Sequence, residues 1–227
     1  MLVVVVDTST SAVTAALVRV DVDATGADGV EILAERRTVD ARAHGELLAP
    51  AVGAVLAERG ATPGELGAIV AGLGPGPFTG LRVGLVTAAA MGQALSIPTY
   101  GVCSLDGIGA RTEGTALVAT DARRKEVYWA VYRERRRLTD PAVDPPAHIA
   151  AVLEELGIAA TVAVGAGARL YAEALALPVL DAYPAPGALA ELAADRVRSK
   201  APGEMLTPLY LRRPDAVEPA ARKRARP

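Results

Sequence analysis

Two stretches of this 227-residue chain follow one plan. From Leu2 it reads LVVVVDTSTSAVTAALV and from Thr115 TALVATDARRKEVYWAVY, so an apolar strand twice runs into an aspartate, a polar turn and a returning extended segment. Val13, Ala15 and Leu17 follow Asp7 at the spacing at which Val127, Trp129 and Val131 follow Asp121. A duplicated strand and hairpin restrict the chain to a duplicated architecture, so an α/β fold of two lobes is expected, each built on its own sheet. The run Leu2 to Val6 shows no polar alternation, the pattern of a strand covered on both faces.

Between the two copies, Leu66 to Val102 organises the first lobe: a strand from Gly67 to Leu73, the loop GPGPFTG, a helix from Thr79 to Leu95 and a strand from Thr99 to Val102. Thr79 is placed to cap that helix through its hydroxyl. Gly80, Gly84, Ala88 and Gly92 recur every fourth residue, a stripe that admits another helix at close range. Each interior glycine costs about 1 kcal/mol relative to alanine, so a compensating contact is expected. The preceding helix, His44 to Arg59, gathers Leu47, Leu48, Ala51, Val52, Val55 and Leu56 on one face. Its other side carries Ala49, Gly53, Ala54 and Ala57, small rather than polar, and Pro50 removes one backbone donor. A third strand is expected over Val30 to Val39, and Ser104 as the cap of a short helix.

After the second hairpin come a proline-rich joint, Asp140 to Pro146, a helix to Gly157, a strand from Thr161 to Val164, and helices over Ala168 to Leu175 and Ala188 to Lys200. The expected division is an N-terminal lobe over 1–104, a C-terminal lobe over 105–216 and a disordered basic tail over 217–227, with Arg222, Lys223, Arg224 and Arg226.

Charge and composition exclude several classes. Twenty-four basic against 26 acidic side chains leave a net charge of −2, so no global field attracts nucleic acid or a membrane. One cysteine, Cys103, can form neither an internal disulfide nor a cysteine-based zinc site, which fits a reducing compartment. The N-terminus MLVVVVD carries no basic leader. The uncharged run Val83 to Leu105 reaches membrane-spanning length, yet it is rich in glycine and alanine and broken by Gln93, Ser96 and Pro98. A cytoplasmic protein without a membrane partner is expected.

An aspartate at a strand-hairpin bend, used twice, is the geometry by which actin-, hexokinase- and Hsp70-like proteins hold the metal and phosphates of ATP between two lobes. Such a hairpin normally presents backbone donors through glycines, yet TSTS and ARRK contain none. The bends also have a purely structural use, since aspartates close turns through their own side chains. The loop GLGPGPFTG lacks the Lys-Ser/Thr ending of a phosphate loop, and its prolines remove two donors. His44 and His148, the two histidines, lie on distant segments without a helical partner for a metal. Cys103 sits in an apolar strand with no basic neighbour to activate it. The residues describe an enzyme's scaffold without an enzyme's ligands.

Six blocks carry a family resemblance: DTST at Asp7 to Thr10, ARAHGELLAPAV at Ala41 to Val52, GLGPGPFTGLRVG at Gly72 to Gly84, IPTYGVCSLDG at Ile97 to Gly107, DARRKEVYWAVY at Asp121 to Tyr132, and YLRRPDA at Tyr210 to Ala216. Together, in this order over nearly the whole chain, they resemble the TsaB family, formerly YeaZ. The resemblance implies the actin-like ATPase (ASKHA, ribonuclease H-like) fold, with the second lobe reduced. It also implies membership of the assembly that makes N6-threonylcarbamoyladenosine on tRNA. In that family the transfer is credited to the paralogue TsaD, which carries a His-x-x-x-His metal motif after the strand corresponding to Thr99 to Val102. Here that place reads Cys103-Ser104-Leu105-Asp106-Gly107, with no histidine. No catalytic and no metal-binding residue is therefore assigned.

The resemblance and the residues converge on a non-catalytic subunit that binds TsaD, joined by the ATPase TsaE, with tRNA contacted indirectly. Leu47, Leu48, Ala51, Val52 and Val55 of one helix and Gly80, Leu81, Gly84, Leu85 and Ala88 of the next are the expected partner surface, open to a homodimer when TsaD is absent. Asp7, Thr8, Ser9 and Asp121 are the expected vestiges of phosphate hairpins. No cofactor is expected on this chain alone, and ATP or ADP with magnesium at the junction with TsaD stays open. The alternatives are an actin-fold acyltransferase or kinase with its own inter-lobe ATP site, and a glycoprotease-like peptidase, for which no Ser-His-Asp set is legible. A direct contact of Arg212, Arg213 and the tail with tRNA is the third.

Overall fold

A computed structural model describes residues 1–212. Arg213 and the tail expected over 217–227 lie outside the described residues. Two sheets form. The first opens with an antiparallel meander of β1 (Leu2–Asp7), β2 (Ala12–Val20) and β3 (Val30–Val39), followed by α1 (His44–Glu58), β4 (Leu66–Gly72), α2 (Phe78–Leu95) and β5 (Thr99–Val102). Its strand order is β3-β2-β1-β4-β5, with β4 parallel to β1 and β5 parallel to β4. A short α3 (Ser104–Gly109) leads to the second sheet, made of β6 (Thr115–Asp121), β7 (Val127–Arg133), β8 (Arg136–Arg137), β9 (Ala142–Asp144), β10 (Val162–Val164) and β11 (Val179–Leu180). Its order is β11-β10-β6-β7-β8, with β9 paired to β7. The helices α4 (Pro146–Glu155), α5 (Ala166–Leu170), α6 (Ala172–Leu175) and α7 (Pro186–Arg198) complete the elements of the described residues.

Both sheets repeat one arrangement: a hairpin whose first strand is flanked on its other side by a parallel strand, with a second parallel strand beyond. This is the actin-like plan, and the second copy is reduced: β8, β9, β10 and β11 have two or three residues each. Strands this short leave no readable period, which is why β8, β9 and β11 have no counterpart in the sequence reading. The duplicated core positions match as expected. Val13, Ala15 and Leu17 face the core beneath α1 and α2, while Val127, Trp129 and Val131 face the core of the second sheet. The bends nevertheless differ by one residue, since Asp7 pairs with Thr14 but Asp121 pairs with Val127.

Each face of the first sheet is covered by a different part of the chain. Val4, Val6 and Ile69 pack against Leu48, Val52, Leu81 and Leu85 of α1 and α2. Val3, Val5 and Val70 pack against Leu189, Ala190, Ala193 and Val197 of α7, which returns from beyond the second sheet. Fully burying a side chain of this size contributes roughly 1.5–3 kcal/mol, so two covered faces explain why β1 tolerates no polar residue before Asp7. No helix is long and apolar enough to cross a membrane among the described residues.

After α7 the chain runs as an extended strap along the free edge of β5. The Glu204 N–H donates to the Thr99 carbonyl at 2.8 Å, and the Thr99 hydroxyl returns a bond to the Glu204 carbonyl at 2.9 Å. One residue pair finishes that edge: the Gly101 N–H donates to the Glu204 carboxylate, Arg196 donates to the Gly101 carbonyl, and Arg196 and Glu204 pair at 2.7 Å. A sheet edge left with open donors and acceptors is a template for unwanted pairing, and here it is closed. Farther on, Tyr210 reaches α2 and Arg212 reaches the second hairpin, so the strap links the two lobes.

Candidate functional site

The bend after β1 is buried and locked. Asp7 is 2% exposed. Its Oδ1 accepts from the Ser9 N–H at 3.0 Å and the Ser9 hydroxyl at 2.8 Å, and its Oδ2 accepts from the Ser104 hydroxyl at 2.6 Å. Ser104 Oγ accepts in turn from the Gly74 N–H. Burial pushes the Asp7 carboxyl above its ordinary value of 3.8, against the opposing pull of the bonds from Ser104 and Ser9. The Thr8 hydroxyl donates to the Gly80 carbonyl at 2.8 Å and accepts from the Gly84 N–H at 3.0 Å, bridging one turn of α2. His44 Nε2 bonds the Thr10 carbonyl at 2.8 Å.

Glycines make this closeness possible. A methyl group at Gly72 would overlap the Asp7 carboxylate, one at Gly76 the Ser9 backbone, and one at Gly84 the Thr8 hydroxyl. The glycine stripe of α2 is thus filled from within: Thr8 and His44 occupy the space beside Gly80 and Gly84, and Thr99 the space beside Gly92. The close approach read from the stripe is real, and it is shared by the hairpin, β5 and the start of another helix, since His44 is the first residue of α1. Two capping expectations are also corrected. Thr79 lies inside α2, which begins after Pro77 and has no side-chain cap. Ser104 is the first residue of α3 and directs its hydroxyl to Asp7 instead of capping. Nothing in the sequence around Ser104 identified that role; only the adjacency of the β1 and β5 ends to β4 does.

The bend after β6 is open. Asp121 Oδ1 accepts the Arg123 N–H at 2.8 Å and its Oδ2 pairs with the Arg123 guanidinium at 3.3 Å. Arg123, Arg124 and Lys125 are all exposed, and all three hold positive φ, at 63°, 54° and 63°. Arg212 donates to the Ala122 carbonyl at 3.2 Å and pairs with Glu126, fastening the strap to the base of the bend.

These positions test whether the chain's own groups fit a nucleotide as an actin-like fold would hold one. At the first bend they do not. The Asp7 carboxylate and the hydroxyls of Thr8, Ser9 and Ser104 are bonded to one another or to α2, and the glycines that would admit phosphate admit side chains instead. No group of three or more His, Cys, Asp or Glu residues able to hold a metal occurs among the described residues. Cys103 is buried, and desolvation, helped by the Asp106 charge, pushes its thiol up to about 11. Such a thiol carries little thiolate at neutral pH. Beside it, the Tyr132 hydroxyl donates to Asp106 at 2.7 Å and Arg137 pairs with the same carboxylate at 3.2 Å, which closes the start of the second lobe.

Of the ten positions expected at a partner surface, Leu48, Val52, Val55, Leu81, Leu85 and Ala88 belong to the core over the first sheet. Gly80 and Gly84 face the first bend, and Leu47 and Ala51 are half-buried. The helices expose their other sides: Ala49, Pro50, Gly53 and Ala57 on α1, and Val86, Ala89 and Ala90 on α2. Val86 is 66% exposed. At the N-terminal end of α2 the chain's one phenylalanine, Phe78, is also exposed; it stacks on Tyr210 at 5.4 Å between centroids, with the Arg82 guanidinium 4.0 Å from its ring centre. Arg82 Nε donates to the Tyr210 hydroxyl at 3.0 Å. An exposed phenylalanine inside GPGPFTG was the available signal for this cluster.

The chain is similar to known proteins in both sequence and fold. The sequence profile of the family described as TsaD, tRNA N6-adenosine threonylcarbamoyltransferase, matches residues 31–166. An uncharacterized protein of Mycobacterium leprae is 50% identical over 216 residues, 95% of this chain and 56% of that protein, so the chain spans little more than half of that relative's length. The tRNA threonylcarbamoyladenosine biosynthesis protein TsaB of Bacillus subtilis is 31% identical over 63% of this chain and 60% of its own. Among solved structures, YeaZ from Pseudomonas aeruginosa superposes with a TM-score of 0.73 at 26% identity, over 92% of this chain and 99% of that one.

Proposed function

Because the chain belongs to the TsaB (YeaZ) family, we propose that it works in tRNA threonylcarbamoyladenosine biosynthesis as a non-catalytic subunit that binds TsaD. Its place is the cytoplasm, where TsaE joins the pair for threonylcarbamoyl transfer to the N6 of the tRNA adenosine next to the anticodon. The observation that carries this reading is the closed first bend. Where an actin-like enzyme needs free polar groups, Asp7, Thr8, Ser9 and Ser104 are bonded internally. A nucleotide belonging to the assembly would then lie at the junction with TsaD rather than in this chain's own cleft.

The docking face is the exposed side of α1 and α2. Gly53 and Ala57 on one helix and Val86 and Ala90 on the other leave a surface with little relief, which suits close helix-on-helix packing. TsaD is the occupant favoured by kinship, because the TsaD family profile covers α1 and α2 of this chain and two related lobes can meet through equivalent helices about a twofold axis. The same face would give a homodimer when TsaD is absent.

Gly53→Glu and Val86→Glu place charge on that face without entering the core. Each should reduce capture of purified TsaD at least tenfold while leaving thermal stability within a few degrees. Unchanged capture by both would remove these helices from the interface. Calorimetry with ATP and magnesium tests the non-catalytic part: sub-micromolar binding to the chain alone would overturn it.

A further inference from the structure

The two edges of the first sheet are finished differently. The strap closes the edge of β5, whereas β3 ends the strand order on the other side and, among the described residues, pairs with β2 alone. An outer strand of ten residues presents a long row of free donors and acceptors. The ladder shows which residues supply that row. The Asp40 N–H donates to the Ser11 carbonyl at 2.9 Å, and backbone direction alternates along an antiparallel strand, so Thr38, Arg36 and Ala34 also turn inward to β2. Glu35, Arg37 and Val39 turn their N–H and C=O groups outward.

The side chains of these outward residues share one face of the sheet. Glu35, Arg37 and Val39 stand opposite Ala16, Thr14 and Ala12 of β2, and Ile32 stands opposite Val18, on the side covered by α7. Ile32 falls on that side because Leu33 is an extra residue in the ladder. In chain order the face reads apolar, acid, base, apolar, which is its own complement when reversed. Laid antiparallel to a second copy about a twofold axis at Arg36, it sets Glu35 against Arg37 twice and Ile32 against Val39 twice. Ile32 and Val39 are 44% and 55% exposed, so the contact covers apolar surface that now faces water.

Neighbouring registers fail on the same residues. An axis between two residues sets outward-turned backbone against inward-turned backbone, and the ladder cannot bond. An axis at Glu35 puts two carboxylates face to face, and an axis at Arg37 puts two guanidiniums. The axis at Arg36 also opposes two arginines, but on the α1 side, where each has Glu58 of its own α1 as a counter-ion. Glu35 and Arg37 of one chain already pair at 2.8 Å, so the contact gathers four alternating charges in place of two. Charges on an edge strand ordinarily prevent pairing. Charges that complement each other across a twofold axis admit one register and exclude the rest.

We propose that β3 is a self-recognition edge, through which two copies of this chain pair antiparallel over Ile32 to Val39 about a twofold axis at Arg36 and join their five-stranded sheets into one. Backbone bonds and the apolar ends supply the affinity, and the charges set the register. The contact lies at the sheet edge and leaves the exposed sides of α1 and α2 to another partner. It does not draw on the TsaD reading.

The test is the mass of the full chain by sedimentation from micromolar to millimolar concentration, in the Val86→Glu background, which blocks self-contact through α2. A dimer is expected there. R37E gathers four carboxylates around the axis and E35R four guanidiniums, and each should weaken the dimer at least tenfold. The double variant E35R/R37E exchanges the charges, keeps the complement and should restore the dimer. Amide hydrogen exchange reads the same contact without a change at the edge. The N–H groups of Glu35, Arg37 and Val39 should exchange more slowly as concentration rises, while those of Arg36 and Thr38, turned to β2 in either state, should not change. A Val86→Glu chain that stays monomeric overturns the proposal. So does a dimer indifferent to both single reversals, a double variant no tighter than the single ones, or exchange at Glu35, Arg37 and Val39 that ignores dimer formation. TsaD capture enters none of these readings, so the two proposals stand or fall separately.

Discussion

The bends after β1 and β6 begin with the same residue in equivalent places of a duplicated sheet, and they have come to opposite ends. Asp7 is enclosed by Ser9, Ser104 and Gly72, and its neighbour Thr8 is bonded into a turn of α2. Asp121 closes an exposed turn whose tip is three basic residues. One extra residue in the first bend accompanies the difference. The environment decides what each aspartate does: the first joins two lobe elements through buried bonds, the second shapes a loop at the surface. Glycines on the facing elements decide the environment, because Gly72, Gly76 and Gly84 leave room for the first bend to sink in.

The largest expected effect comes from removing that room. Gly72→Ala sets a methyl group against the Asp7 carboxylate and the Ser104 hydroxyl, neither of which is the free end of a flexible chain. Overpacking of this kind should cost about 3 kcal/mol in urea unfolding. A loss under 1 kcal/mol would mean that the first bend can shift outward and is not locked.

The buried Asp7 carboxyl should also be visible in the pH dependence of stability. Its folded-state pKa is raised by burial, so the folded protein holds that proton more tightly than the unfolded chain. The stabilisation linked to it is fully present below the ordinary carboxyl value of 3.8 and is lost as pH rises through the folded value. One proton can contribute a slope of at most about 1.4 kcal/mol per pH unit. Asp7→Asn should remove this falling slope above pH 4 in urea titrations at successive pH values. A variant with the wild-type slope would place the titration elsewhere.

The duplicated frame of this contrast was legible in the sequence; the contrast itself was not, since Asp7 and Asp121 read alike as vestiges of phosphate hairpins. The duplicated plan gave the two sheets because strand periodicity and a bend aspartate are local signals. The spacing of Val13, Ala15 and Leu17 against Val127, Trp129 and Val131 identified the core faces for the same reason. The glycine stripe announced a close approach but not the approaching group, since a missing side chain says nothing of what fills its space. Ser104 and α7 act across 97 and more than 150 residues of sequence, on Asp7 and on β1 respectively, and no local pattern encodes such a meeting. The expected partner surface was placed on the apolar sides of α1 and α2, which the core takes up, for a related reason. An apolar stripe and a stripe of small residues both look buried, and only the sheet beneath shows which one the chain covers itself.

Thr8 tests the lock with a smaller perturbation. Thr8→Val preserves shape but withdraws the hydroxyl from the Gly80 carbonyl and the Gly84 N–H. Two buried backbone groups lose a partner, which should cost about 1–2 kcal/mol. Hydrogen exchange at the first turns of α2 should quicken with it; unchanged exchange would assign the rigidity of that end to packing alone.

The smallest effect belongs to the second bend, and it separates shape from stability. Asp121→Ala removes the acceptor for the Arg123 N–H and a pair with the Arg123 guanidinium on a solvated turn. Exposed pairs of this kind contribute about 0.2–1 kcal/mol, so global unfolding should barely move. The left-handed tip is another matter, because the Asp121 bond is one of the few restraints that hold three basic residues there. Released from it, the tip should relax toward ordinary backbone angles, with changed NMR shifts confined to residues 121–126. If instead Asp121→Ala destabilises the protein as strongly as Gly72→Ala, the two bends are equivalent structural joints, and the division between a locked and an open hairpin fails.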